Sequence, residues 1–152
     1  MTTHRRNHWQ TLLSLACLFL LFTSQSQADS KDFGEFEVHW SVFPSTFLAP
    51  EIARENNLNR SRGIGIVNIS IMRETEDSGL EPVSGQVEGK VMNDIQQARF
   101  LAFRRIQEGN AVYFIAEYQY SNAELMTFQI TTRPTGARQD LPIRFTHTLF
   151  ND

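Results

Sequence analysis

The feature that most constrains this chain is the alternation of apolar and polar residues in short runs separated by turn formers. Successive side chains of a strand point to opposite faces, so a period of two marks a strand with one buried and one wet face. Residues 35–43 set Phe36, Val38, Trp40 and Val42 against Glu35, Glu37, His39 and Ser41. Residues 64–72 set Val67, Ile69 and Ile71 against Asn68 and Ser70, and 83–92 set Val83, Val87 and Val91 against Gln86, Glu88 and Lys90. Further runs at 99–107, 111–120, 125–133 and 143–150 bring the strands to seven. Glu108-Gly109-Asn110 and Ser121-Asn122-Ala123-Glu124 read as hairpin turns, 134–142 as a longer loop, and 74–82 as a polar, mobile one. The expected fold is all-β: a single antiparallel seven-stranded β-sandwich, immunoglobulin-like, with one short helix after the first strand.

That helix falls within 44–63. Pro50 suits a first helical turn, Glu51 complements the helix dipole, Leu48 and Ile52 share a face, and Asn56-Asn57 is a stop. Two or three turns are expected. Phe100-Leu101-Ala102-Phe103 and Val112-Tyr113-Phe114-Ile115-Ala116 are apolar on both faces, so something should cover the outer face of the fourth and fifth strands. The helix is the nearest cover, with Ile52 or Leu58 expected against Phe100, Tyr113 or Ile115.

Residues 1–28 read differently. Arg5 and Arg6 precede an apolar run to Phe22, and Ser26-Gln27-Ala28 has the small-x-small form of a signal peptidase site. The run is shorter than the ~20 residues of a membrane span. The expectation is a cleaved signal peptide, a domain over 29–152 and a periplasmic location. A lipid anchor at Cys17 is disfavoured, because the apolar run continues beyond it and Ser14 stands where a branched aliphatic is usual. Cys17 is the only cysteine, so a chain cut after Ala28 has no disulfide and no thiolate ligand. Twelve phenylalanines, only Phe19 and Phe22 of them in the leader, supply the core instead. The full chain carries 14 basic and 17 acidic residues with no basic run, which argues against nucleic-acid binding. No later segment is apolar enough to span a membrane.

Several strings resemble a known family. Gly34-Glu35-Phe36-Glu37-Val38-His39, Thr46-Phe47-Leu48-Ala49-Pro50-Glu51-Ile52-Ala53 and Arg62-Gly63-Ile64-Gly65-Ile66-Val67-Asn68-Ile69-Ser70 open the match. Val87-Glu88-Gly89-Lys90-Val91-Met92-Asn93 and Glu108-Gly109-Asn110-Ala111-Val112-Tyr113-Phe114-Ile115-Ala116-Glu117 continue it. Together they resemble the uncharacterised secreted proteins of Gram-negative bacteria known as domain of unknown function 4426. The resemblance spans 32–150. It implies a periplasmic protein and carries over no functional residues.

Candidate sites follow from residue chemistry. His39 and His147, on the first and last strands, are the only histidines after the leader. They are the weak candidates for a metal, since two imidazoles without H-x-H or H-x-x-x-H spacing make a poor ligand set. No G-x-S-x-G elbow is present, and Glu35 with Glu37 is the spacing of a solvated strand face more often than of an acid–base pair. Gly63-Ile64-Gly65 follows the helix and opens a strand, the reverse of a phosphate-binding loop. Asn59-Arg60-Ser61 and Asn68-Ile69-Ser70 match glycosylation acceptors that a bacterial chain does not ordinarily use. Trp40, Tyr113, Tyr118 and Tyr120 either fill the core or line a binding surface, with Tyr118 and Tyr120 the nearest to a strand end. Ile52 and Leu58 complete the binding candidates.

No cofactor is expected. The leading functional expectation is a non-catalytic periplasmic binding or accessory domain contacting another envelope protein. The alternative is a small-molecule binder with an apolar pocket between the helix and strands four and five, and a hydrolase is the weakest of the three. The oligomeric state is left open.

Overall fold

The structure is a computed structural model describing residues 29–151. The leader expected over 1–28, Cys17 included, lies outside the described residues. Ten strands form two antiparallel sheets. One sheet holds β1 (Asp29–Asp32), β2 (Phe36–Pro44), β3 (Ile64–Thr75), β8 (Ala111–Gln119) and β7 (Arg104–Glu108) in that order, with β4 (Gly79–Pro82) pairing the far end of β3. The other holds β10 (Leu141–Thr148), β9 (Leu125–Pro134), β5 (Gly85–Met92) and β6 (Ala98–Phe100). The fold is thus all-β with one short helix, and the expected single seven-stranded sandwich is corrected to ten strands in a six-stranded and a four-stranded sheet.

Three differences account for the correction. The first is β1, which adds Asp29–Asp32 to β2 with Ser30 opposite His39. The second is the 74–82 segment, expected as a mobile loop. Here β3 runs on to Thr75, and β4 pairs back onto it through Met72↔Pro82 and Thr75↔Gly79. The third is the expected strand 99–107, which splits. Its first part is β6, paired with β5, and its second is β7, paired with β8. Between them the chain crosses from one sheet to the other, with Leu101 buried, Phe103 packed on the core and the Leu101 amide donating to the Gly89 carbonyl. An apolar run on both faces is here the mark of a crossing through the core, and Phe100 stays exposed.

The turn at 121–124 is also not a hairpin. The Glu124 amide does close onto the Ser121 carbonyl, but β8 and β9 belong to different sheets, so the turn arches over the sandwich. Gly109, at φ +58, does make the β7–β8 hairpin, a conformation in which glycine has no steric penalty.

The core lies between the sheets. It gathers Val38, Val67, Ile69, Ile71, Phe114 and Tyr118 from one sheet and Val91, Phe128, Ile130, Leu141 and Ile143 from the other. A chain of rings crosses it. Trp40 stacks on Phe145 at 5.0 Å, Phe145 on Phe128 at 4.8 Å, and Tyr118 meets Phe128 edge-on at 5.1 Å. Such pairs add about 0.5–1.5 kcal/mol each beyond area burial.

The helix, α1 (Pro50–Glu55), is shorter than expected. Pro50 is at its first position and Asn56 caps its end. The following segment is bolted to the outer face of the six-stranded sheet. Arg104 Nη1 donates to the carbonyls of Asn56 (2.8 Å) and Asn57 (2.6 Å), and the Asn59 amide donates to Glu117 Oε1 (2.6 Å). Ala53, Leu58 and Ile66 are buried here, apart from the main core. It is the segment after the helix that buries Leu58, whereas the helix itself buries only Ala53. Ile52 points outward at 38% exposure, and Phe100 is not beneath it.

Candidate functional site

The aromatic candidates are mostly core. Tyr118 and Tyr120 are buried and 6.1 Å apart, the core alternative of the two the sequence left open. Both share the inward face of their strand with Phe114, so they follow the alternation into the core. Burial pushes the Tyr118 phenol well above its ordinary range, and neighbouring Tyr120 adds to the effect. The Tyr118 hydroxyl and Trp40 Nε1 are buried without a hydrogen-bond partner. Tyr113 is half-buried on the outer face and lines a concavity there.

The two histidines do not meet. His39 lies on β2 in the six-stranded sheet, on the outer face with Glu37 and Ser41, since Val38 faces the core. His147 lies on β10 in the four-stranded sheet, in alternation with the core residues Leu141, Ile143 and Phe145. Burial lowers the His147 pKa, partly offset by the negative charge of Asp29. Among the described residues no group of three or more His, Cys, Asp or Glu is placed to hold a metal. His39 has a different neighbour. Its Nε2 lies 3.4 Å from Glu37 Oε1, outside hydrogen-bond geometry, and is buried with no hydrogen-bond partner.

Three concavities stand out among the described residues. The first, about 750 Å³, crosses the four-stranded sheet. Strand register sets Lys90, Gln129 and Arg144 in one row and Glu88, Thr131 and Pro142 in the next. Phe100 flanks one end and Lys31 the other, its ammonium bonded to the Pro142 carbonyl at 3.3 Å. The chain's only two lysines thus line one groove. None of Lys31, Lys90 and Arg144 forms an ion pair among the described residues, whose pairs are Arg54–Glu51, Arg73–Glu35, Arg104–Glu117, Arg133–Asp140 and His39–Glu37. Phe100 is 92% exposed.

The second is a polar cleft of about 490 Å³ at one end of the sandwich, where Arg99 donates to Gln119. It adjoins a smaller hollow lined by Asn59, Leu101, Glu117 and Tyr118. That hollow lies between the segment after the helix and strands β6 and β8, near the expected ligand pocket but without Ile52 or Leu58. The third, about 380 Å³, lies on the outer face of the six-stranded sheet between Leu80 and Pro82 of β4 and Tyr113 of β8, with His39, Asn68, Ser70 and Met72 at its base.

Phe100, Arg144, Lys31, Lys90 and Met72 were not among the sequence's site candidates, and Glu37 was weighed only as a partner of Glu35. A usable signal existed only for the lysines, as the rarest charged residues of the chain.

The model of the family named domain of unknown function (DUF4426) matches residues 30–152. A crystal structure of a DUF4426 family protein from Pseudomonas aeruginosa PAO1 superposes with a TM-score of 0.72 at 30% identity, covering 82% of this chain and 96% of that one. No curated protein matches the chain.

Proposed function

We propose a binding role, not a catalytic one, for this chain, which belongs to the DUF4426 family. It acts in the periplasm, after removal of residues 1–28, as an accessory domain that docks an acidic, extended segment of another envelope protein. The observation that carries this is Phe100, 92% exposed on the edge strand β6 beside the groove of Lys31, Lys90 and Arg144.

Edge strands are normally guarded by charge or proline. Here β1 carries Asp29, Lys31 and Asp32, β7 carries Arg104, Arg105 and Glu108, and β10 carries Pro142 and Arg144. In β6, Arg99 donates to Gln119 across the cleft, and Phe100 is left facing water. A large exposed aromatic beside unpaired cations suits a partner that brings carboxylates and one apolar side chain. Glu88 also lines the groove, so three cations, Lys31, Lys90 and Arg144, stand against one carboxylate.

Strand order supports an immunoglobulin-like reading of the fold. Lettering β2, β3, β5, β7, β8, β9 and β10 as A to G gives sheets ABED and GFC, with β6 as an extra C′ strand. A hydrolase is disfavoured. Ser70 is opposite His39 in register, but no hydrogen bond joins them and Ser70 lies on a regular strand.

In-cell photo-crosslinking with benzoyl-phenylalanine at position 100 tests the docking groove. One discrete adduct at 100, missing at exposed Gln139 and lost with Lys90→Glu and Arg144→Glu, is the expected result. Equal labelling at both positions, or adducts indifferent to the charge reversals, would overturn it.

A further inference from the structure

We propose that the polar cleft at the end of the sandwich binds a free α-amino acid with an apolar side chain. Arg99 takes its carboxylate and Glu124 its ammonium. The cleft is a second site, sharing none of its lining residues with the docking groove.

The first observation is a pair of opposite charges that do not meet. Arg99, on the edge strand β6, and Glu124, in the arch before β9, line the same 490 Å³ cleft. Neither belongs to any of the five ion pairs among the described residues. Each is held by a neutral partner instead. Arg99 Nη1 donates to Gln119 Oε1, and Glu124 Oε2 accepts from the Ser121 amide at 2.9 Å. The first bond ties Arg99 to β8 of the other sheet, and the second ties Glu124 to its own turn. The two charges are thereby held apart, facing one space. A guanidinium pairs a carboxylate through two parallel N–H donors, and Arg99 has given only one donor to Gln119. Glu124 Oε1 makes no hydrogen bond among the described residues.

The second observation is the set of amides beside Arg99. Asn93 Nδ2 donates to Gln97 Oε1 at 3.0 Å, and the Gln97 backbone amide donates to Asn93 Oδ1 at 2.8 Å. Gln97 is thus fixed by its oxygen, which leaves Nε2 to donate. Gln119, fixed by its own oxygen, likewise keeps Nε2. The Arg99 side of the cleft is therefore rich in donors and suits an anionic oxygen group, with one carboxylate across from it.

The third observation is the floor. Val91 and Met126 are core residues, 2% and 5% exposed, yet both line the cleft, with half-buried Ile64 beside them. Val91 is opposite Arg99 in the β5–β6 register, so Arg99 stands at a core-facing position on the edge of its sheet. Sites for small ligands combine such an apolar floor with a few placed polar groups, in volumes of roughly 300–1,000 Å³. A simple anion such as phosphate would use Arg99 but neither Glu124 nor the floor. An α-amino acid with an aliphatic side chain uses all three.

The test is calorimetric titration of the purified protein with L-leucine. One saturable equivalent is expected. N-acetyl-L-leucine lacks the ammonium and L-leucinamide the carboxylate, so each should bind at least about tenfold more weakly, as loss of one charge-assisted pair implies. Arg99→Gln should weaken L-leucine by a similar factor. Glu124→Gln should weaken L-leucine and leave N-acetyl-L-leucine unchanged, a split that a purely structural role for Glu124 would not produce. Arg138→Gln, at an exposed arginine outside the cleft, should leave binding intact. Matching thermal melts of the ligand-free variants establish that folding is retained. No saturable binding of L-leucine, equal binding of L-leucine and its two blocked forms, or equal loss in Arg138→Gln and Arg99→Gln would overturn the assignment.

Discussion

Replacing Gly65 with alanine probes how firmly the aromatic core holds the Tyr118 ring. Gly65 and Tyr118 are opposed on β3 and β8. A Cβ at position 65 would lie 2.5 Å from Tyr118 Cζ and 2.6 Å from Cε1 and the hydroxyl. Carbon atoms in contact sit ~3.5–4.0 Å apart, so the ring must retreat by about 1 Å. It has little room, being only 5% exposed with its edge on Phe128, which is itself stacked on Phe145. Overpacking of this kind costs about 1–3 kcal/mol. Against it, alanine is better than glycine in a strand by roughly 0.5–1 kcal/mol. Gly65→Ala should therefore destabilise by about 0.5–2 kcal/mol. In a Tyr118→Leu background the ring's far end is gone, and the same change should stabilise by about 0.5–1 kcal/mol. The two together make a coupling of roughly 1–3 kcal/mol, readable from urea midpoints of the four proteins at constant slope. A stabilising Gly65→Ala in the parent chain, or the same effect in both backgrounds, would refute the reasoning.

Two further outcomes follow from buried polar groups. Tyr118→Phe removes a hydroxyl with no hydrogen-bond partner and should cost nothing, with a gain of up to about 1 kcal/mol; a clear loss in urea denaturation would show that the hydroxyl is satisfied. His147 is held below its ordinary value of 6.5 by burial, so on acidification the unfolded chain takes up the proton first. The stability His147 permits is complete above 6.5 and is lost as pH falls through that value towards the lower folded pKa. His147→Gln should flatten the fall of the denaturation midpoint over that window, and superimposable profiles would count against the assignment.

Particular residues show where the sequence was legible. Pro50 marked the first position of the helix, Gly109 the β7–β8 hairpin, and the alternation in 35–43 and 64–72 the faces of β2 and β3. Each is a local effect of φ, ψ or side-chain period. Leu58 and Ile52 were not separable in the sequence, because the helix ends at Glu55 and the segment carrying Leu58 is held from distant strands by Arg104 and Glu117. Phe100 was misread as covered, since an apolar run looks the same whether it is a doubly buried strand or a crossing between sheets.

The amino-acid sequence alone determined the family, the all-β character, the single short helix and which face of most strands is apolar. Those follow from side-chain period and backbone preference, which act over a few residues. Only the tertiary structure decided that 99–107 would divide between two sheets, that 121–124 would arch between them, and that His39 and His147 would lie on different sheets. Strand partners are chosen over long sequence separations by whichever pairing closes one common core, and alternation carries no label for the partner.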